Sequence, residues 1–140
     1  VLTTLDYAAL MHYHRQERAL ATVAMHRREV GIDLGVIEMD GSNRIKGYIE
    51  KPRYDYNVSM GIYVFEPSVI PYIPAGKYLD FPDLIHRLLK AEKMIVGYSY
   101  DGYWLDIGRP DDYAQAVQDF ETRRSEFLLE DGDGMEDSSC

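Results

Sequence analysis

The sequence predicts an α/β fold, a mixed β-sheet flanked by helices. Short apolar and β-branched runs alternate with helical patterns along the chain. Asp40-Gly41 stands between two strand-like runs, a hairpin signal, so at least one strand pair is antiparallel. Phe81, Leu84, Ile85, Leu88 and Leu89 recur at helical spacing and form one apolar stripe able to cover a sheet.

In chain order, Asp6 is placed to cap a helix from Tyr7 to Arg18, with Ala8, Met11, Tyr7 and His14 as its inward face. Ala21 to His26 reads as a buried strand and Val30 to Asp33 as a loop. Gly35 to Met39 and Arg44 to Glu50 are the hairpin arms, and Lys51-Pro52 stops the second. Arg53 to Asn57 reads as a polar loop rich in tyrosine. Val58 to Phe65 is the most strand-like stretch. Pro67 opens a short helix over Ser68 to Ile73. Asp80 caps the amphipathic helix, with Pro82 in its first turn. Met94 to Tyr100 is a strand, Asp101-Gly102 turns the chain, and Tyr103 to Asp106 is another strand. A last helix begins at Pro110 and points Tyr113, Val117 and Phe120 inward. From residue 129 to 140 the chain carries acids, no base and little apolar content, which predicts a mobile tail.

The 140 residues suffice for one domain with a real core. Fifteen Lys+Arg against 24 Asp+Glu give a net charge of −9, which disfavours nucleic acid and anionic membranes as partners. An anionic small substrate then needs a local cation or a metal. Cys140 alone cannot form an internal disulfide. No apolar run approaches the roughly 20 residues that span a bilayer. The expectation is a soluble, cytoplasmic protein. The chain starts without methionine and in mid-pattern, as a fragment or processed chain would.

The chemistry centres on Tyr103-Trp104-Leu105-Asp106-Ile107-Gly108-Arg109-Pro110. A carboxylate at a strand end beside a helix N-terminus suits Mg²⁺, which takes few protein ligands and completes its shell with water and substrate phosphates. Asp106 fits that description; it could equally cap the helix that follows. Glu50-Lys51 ends a strand, where an ammonium can meet a phosphate and a carboxylate can accept sugar hydroxyls; a solvated strand end looks the same. Gly61 either lets a ligand lie on the strand backbone or marks a β-bulge. Arg109 reaches a phosphate or pairs with Asp111 or Asp112. The four histidines, His12, His14, His26 and His86, form no metal-ligand set. Neither G-x-G-x-x-G nor a P-loop is present.

As an ordered set, Glu50-Lys51-Pro52, Gly61-Ile62-Tyr63-Val64-Phe65 and Tyr103 to Tyr113 resemble the sugar-1-phosphate nucleotidyltransferases over roughly Val1 to Glu121. The resemblance implies the C-terminal half of a Rossmann-like nucleotide-diphospho-sugar transferase domain. Residues 1–128 would be the acceptor half. Asp106 matches the second of the family's two Mg²⁺-binding aspartates, Lys51 the lysine on the sugar phosphate, Glu50 the glutamate on sugar hydroxyls, and Gly61 the glycine of the sugar-binding strand. Ser59 stands where the family often has asparagine, and Arg109 where it often has threonine. Val1 to Asp6 looks like the segment just after the first metal aspartate. The family's glycine-rich nucleotide loop is not among these residues. The implied partners are a sugar 1-phosphate and a nucleoside triphosphate, with Mg²⁺ as cofactor. A homo-oligomer is expected from exposed sheet edge. The alternative is a non-catalytic regulatory or assembly subunit of the same fold.

Overall fold

The computed structural model describes residues 1–128, and the expected acidic tail over 129–140 lies outside them. The described residues divide into two compact units, one of residues 6–101 and one of residues 1–5 with 102–128. Each is described by itself.

In the larger unit, helix α1 spans Tyr7–Glu17. Asp6 caps it as expected, its Oδ1 accepting from the amides of Ala8 at 2.8 Å and Ala9 at 3.0 Å. The inward face differs from the expectation. Leu10 and His14 are buried, while Ala8, Tyr7 and Met11 are exposed. The stripe is Leu10, Tyr13 and His14. Tyr13 packs edge-on against Tyr98 and donates to the Gly97 carbonyl. His14 tolerates burial because both ring nitrogens are met. Nδ1 lies 2.7 Å from the Thr22 hydroxyl and Nε2 lies 3.2 Å from a Glu66 carboxylate oxygen.

Strands β2 (Ala21–Gly31), β3 (Val36–Met39), β4 (Ile45–Ile49) and β5 (Arg53–Phe65) follow. β2 and β5 pair antiparallel through Gly31 opposite Arg53, so the loops expected at Val30 and at Arg53 to Asn57 are strand. Their side chains are polar because this end of the ladder is solvated, and a ladder needs only backbone partners. Arg27 pairs with Asp55 and Arg53 with Glu29 across it.

A 3₁₀ segment, Pro67–Tyr72, replaces the expected short helix. Pro71 inside it has no N–H for an α-helical bond. Helix α2 (Phe81–Lys90) is capped by Asp80, whose Oδ1 accepts from the Asp83 amide. Strand β6 (Ile95–Ser99) then lies parallel to β2.

The sheet order β5-β2-β6 is mixed, as expected, but β3 and β4 pair only with each other as a separate ladder. The core joins Ala21, Val69, Leu84 and Leu88, with Phe65, Ile85 and Ile95 against them. Of the five predicted stripe residues, Leu84 and Leu88 are buried, Ile85 is half-buried, and Phe81 and Leu89 are exposed. Phe81 stacks on Tyr63 at a centroid distance of 4.9 Å instead of entering the core.

In the smaller unit, β1 (Leu2–Thr3) pairs antiparallel with β7 (Trp104–Leu105), and α3 (Pro110–Thr122) and α4 (Arg124–Phe127) follow. The Thr3 hydroxyl donates to the Tyr103 carbonyl at 2.8 Å, and the Thr4 amide bonds the same oxygen. Tyr103 is the hub. Its hydroxyl donates to Asp119, Arg123 lies 4.6 Å over its ring, and Phe127 meets it edge-on. Ala116 is the buried residue of α3, and Tyr113 and Val117, expected to point inward, are exposed. Phe120 is turned inward as expected, joined by Ala116 and Asp119; the carboxylate is retained there by the Tyr103 hydroxyl and by Gln115.

Two predictions follow from this packing. Leu88→Ala should cost about 2–5 kcal/mol in urea unfolding, and its neighbour Leu89→Ala less than about 0.5 kcal/mol. Equal losses would contradict the helix orientation. Burial and the Asp119 hydrogen bond push the Tyr103 hydroxyl from 10.0 up to about 12. The folded state therefore holds a proton that the unfolded state has released. This contribution is complete below pH about 10 and falls as pH rises towards about 12. Tyr103→Phe should flatten the alkaline loss of stability measured by denaturant midpoint; an unchanged slope would remove Tyr103 from that role.

Candidate functional site

The candidate residues fall into three local pairs. Asp106 follows β7 directly, and its neighbour Arg109 is the N-cap residue of α3. Asp112 satisfies that helix end. Its carboxylate accepts from the Arg109 amide at 2.9 Å and from the guanidinium at 3.3 Å. The Arg109 hydrogen bonds hold the Asp112 carboxyl below the usual carboxylate range. Arg109 thus takes the pairing alternative, with Asp112 and not Asp111, while its side chain remains 81% exposed. Asp106 does not cap α3. Its side chain is exposed and makes no hydrogen bond or ion pair among the described residues.

A carboxylate in that state is a suitable Mg²⁺ ligand. It is a hard anionic oxygen donor, solvated and without a competing cation. No cluster of three His, Cys, Asp or Glu able to hold a metal occurs among the described residues. Asp106 therefore fits as one ligand of an ion that takes the rest of its shell elsewhere, and not as part of an all-protein cage.

Glu50 and Lys51 lie in the connection between β4 and β5. The proline that follows is buried and its carbonyl accepts from the Ile32 amide at 3.0 Å, which anchors the connection. Lys51 has φ 44°, in the left-handed region. For a residue with a Cβ this costs about 1–2 kcal/mol. Arg18 and Glu92 also have positive φ, but they follow helices, where a left-handed residue is routine. Lys51 stands between two strands and exposed, and it has no ion pair among the described residues. Glu50 is not a bare strand end, because the Tyr48 hydroxyl donates to its Oε2 at 2.8 Å. This bond raises Tyr48 above the ordinary tyrosine value.

Ser59 and Gly61 share an irregularity in β5. Between Val23 and Met25 the partner strand advances from Tyr63 to Ser59, so β5 carries extra residues there. Gly61 sits in the bulge at φ 74°. A Cβ on it would meet open space, so backbone conformation requires the glycine and the strand surface beside it is free. The bulge reading of Gly61 holds. The Ser59 hydroxyl accepts from the Gly61 amide at 3.2 Å and lies 3.1 Å from the Tyr63 hydroxyl. Ser59 also lines a cavity of about 310 Å³ on the sheet face with Val23, Met25, Asn57 and Gly97. A second cavity, about 450 Å³, is in the smaller unit; Leu2, Ile107, Val117 and Phe120 are among the residues that line it, and none of the candidate residues does.

Sequence reasoning missed Tyr48 and Tyr63 as supports of Glu50 and Ser59. The i, i+2 spacing of Tyr48 and Glu50 places both on one face of a strand, a signal available in the sequence. Tyr63 is brought to Ser59 by a bulge, which spacing does not reveal.

Residues 1–123 match the family model for nucleotidyl transferases. Among similar curated proteins, a UTP–glucose-1-phosphate uridylyltransferase of Synechocystis sp. is 33% identical over 124 residues, 84% of this chain and 32% of its own length. A mannose-1-phosphate guanylyltransferase of Mycobacterium tuberculosis is 32% identical over 124 residues, 85% of this chain and 34% of its own. The chain thus spans about a third of the length of these relatives. Among solved structures, HddC from Yersinia pseudotuberculosis superposes with a TM-score of 0.51 at 21% identity, covering 83% of this chain and 50% of that one. That likeness concerns the fold. With the family match running from the first β-strand through α3, this chain belongs to the nucleotidyl transferase family.

Proposed function

We propose that this chain is the acceptor half, residues 1–128, of an enzyme that transfers a nucleotidyl group from a nucleoside triphosphate to a sugar 1-phosphate. The observation that carries the reading is Asp106, an exposed carboxylate at a strand end whose capping duty is taken by Asp112. The names of the two relatives, one acting on glucose 1-phosphate and one on mannose 1-phosphate, support the substrate class.

In this reading a sugar phosphate oxygen attacks the α-phosphorus of the triphosphate. The bond from that phosphorus to the bridging oxygen breaks, and pyrophosphate leaves with the electron pair. The chain contributes alignment and charge. Lys51 meets the sugar phosphate and offsets its charge as the two anions approach. Glu50 accepts hydrogen bonds from sugar hydroxyls. Ser59 and the open backbone at Gly61 form the wall on which the sugar lies. Arg109 stands beside Asp106 with its guanidinium reachable by a phosphate. Asp106 would hold Mg²⁺, which when bound neutralises phosphate charge and orients the leaving group. The reading also takes the protein to be cytoplasmic, where nucleoside triphosphates are abundant, and self-associating. No helix of the described residues is long and apolar enough to cross a membrane.

The test is pyrophosphate release by the chain with its full native flanking sequence. Asp106→Asn should lower Mg²⁺-dependent turnover by at least about 100-fold, the scale of losing a charge-stabilising group. Near-normal activity would sink the assignment. Lys51→Ala should raise KM for the sugar phosphate about 10- to 100-fold while KM for the triphosphate stays within about twofold, as expected for a charge-assisted contact to one substrate. Equal effects on both substrates would count against it.

A further inference from the structure

We propose that Tyr48 is a positioning residue for Glu50, with its ring laid across Gly35 so that its hydroxyl fixes the carboxylate that meets the sugar. This rests on the reading of Glu50 given above. Two independent observations carry it. The first is the hydrogen bond from the Tyr48 hydroxyl to Glu50 Oε2 at 2.8 Å. The second is the surface beneath the ring. A Cβ on Gly35 would stand 2.0 Å from the Tyr48 oxygen and 2.4 Å from Cζ, so only glycine lets the ring lie where it does.

The ladder explains why these residues meet. Val36 is opposite Ile49 and Ile37 opposite Tyr48, and by strand alternation Tyr48 shares its face with Glu50, the residue just past the end of β4. Gly35 stands two residues before Ile37, the partner of Tyr48, and so lies diagonal to Tyr48, within reach of a long aromatic side chain. The hairpin is a two-stranded ladder, which on its own leaves a terminal carboxylate free to rotate. Tyr48 is 63% exposed, so burial does not hold the ring; the hydrogen bond to Glu50 and the absence of a Cβ on Gly35 are what its position depends on. The raised proton affinity of Tyr48 has that same hydrogen bond as its largest cause. A donor on one oxygen of Glu50 leaves the other oriented for a ligand hydroxyl, as supporting groups do for ligating and binding carboxylates.

A purely structural ring would behave differently from a positioning one, and Tyr48→Phe separates them because it keeps the ring over Gly35 and removes only the hydroxyl. The experiment measures pyrophosphate release against α-D-glucose 1-phosphate and α-D-mannose 1-phosphate, again with the native flanking sequence. Tyr48→Phe should raise KM for the sugar phosphate roughly three- to tenfold, the scale of one lost hydrogen bond, with kcat within about twofold. Gly35→Ala should raise it similarly by displacing the ring, yet add nothing in the Tyr48→Phe background. NMR of ¹³Cζ-labelled tyrosine supplies a readout independent of activity: the Tyr48 titration should lie above the ordinary value and drop in Glu50→Gln. Glu50→Ala keeps the two readings apart. If it raises KM while Tyr48→Phe does not, the positioning role is overturned and the site stands. If Glu50→Ala leaves KM unchanged, the assignment of Glu50 fails and the positioning role with it. A Tyr48 titration indifferent to Glu50→Gln would also overturn the proposal.

Discussion

The antiparallel pairing of β2 with β5 is the constraint on which the larger unit depends. It runs from Ala21 opposite Phe65 to Gly31 opposite Arg53 and joins two segments that the hairpin β3–β4 separates in sequence. At one end it presents Ala21 and Phe65 to the core beneath α2. At the other it emerges into solvent, where Arg27, Asp55, Glu29 and Arg53 exchange charges at surface strength. Because register along a ladder is fixed, the bulge at Gly61 and the connection at Lys51 are set by the same pairing. The candidate residues of this unit occur where that regularity is interrupted. Glu50 and Lys51 precede the first paired residue of β5, Gly61 lies in the irregularity of its ladder, and Ser59 borders it.

Much of this was legible in the residues. The caps Asp6 and Asp80, the turn after Met39, and the alternation of strands and helices act over a few positions, and local chemistry settles them. The turn itself adds a detail: Asn43 and not Gly41 takes the positive φ, with Asp40 accepting from the Ser42 and Arg44 amides. The readings that failed depended on distant partners. Arg53 to Asn57 looks like a loop because its polarity reports solvent exposure and says nothing of backbone pairing. Ala8, Tyr7 and Met11 look like the inward face of the first helix beside His14, yet only His14 of the four is buried, with Thr22 and Glu66 meeting its ring nitrogens. Phe81 and Val117 fit an apolar stripe yet remain exposed, because stripe width is set by the partner surface and not by the helix.

For the candidate site, the residue types were readable, while of their supports only the Tyr48–Glu50 spacing left a signal in the sequence. Asp106 was ambiguous between metal ligand and helix cap. The structure resolves the second possibility, since Asp112 rather than Asp106 reaches back to the Arg109 amide. Glu50 and Lys51 were ambiguous with a solvated strand end. The left-handed φ of Lys51 and the Tyr48 hydrogen bond are features that a strand end does not need. In both places a neighbouring side chain takes on the structural duty or holds the candidate, and the hydrogen bonds of Asp112 and Tyr48 show which duty each takes.

These residues are proposed as the acceptor side of a nucleotidyl transfer. That role is tested most directly by measuring Mg²⁺-dependent pyrophosphate release from a panel of nucleoside triphosphates and sugar 1-phosphates, using the chain with its full native flanking sequence. Release should require one triphosphate and one sugar 1-phosphate together and should stop when Mg²⁺ is chelated. A well-folded protein that releases no pyrophosphate with any pair would contradict it, and would favour a non-catalytic subunit built on the same fold.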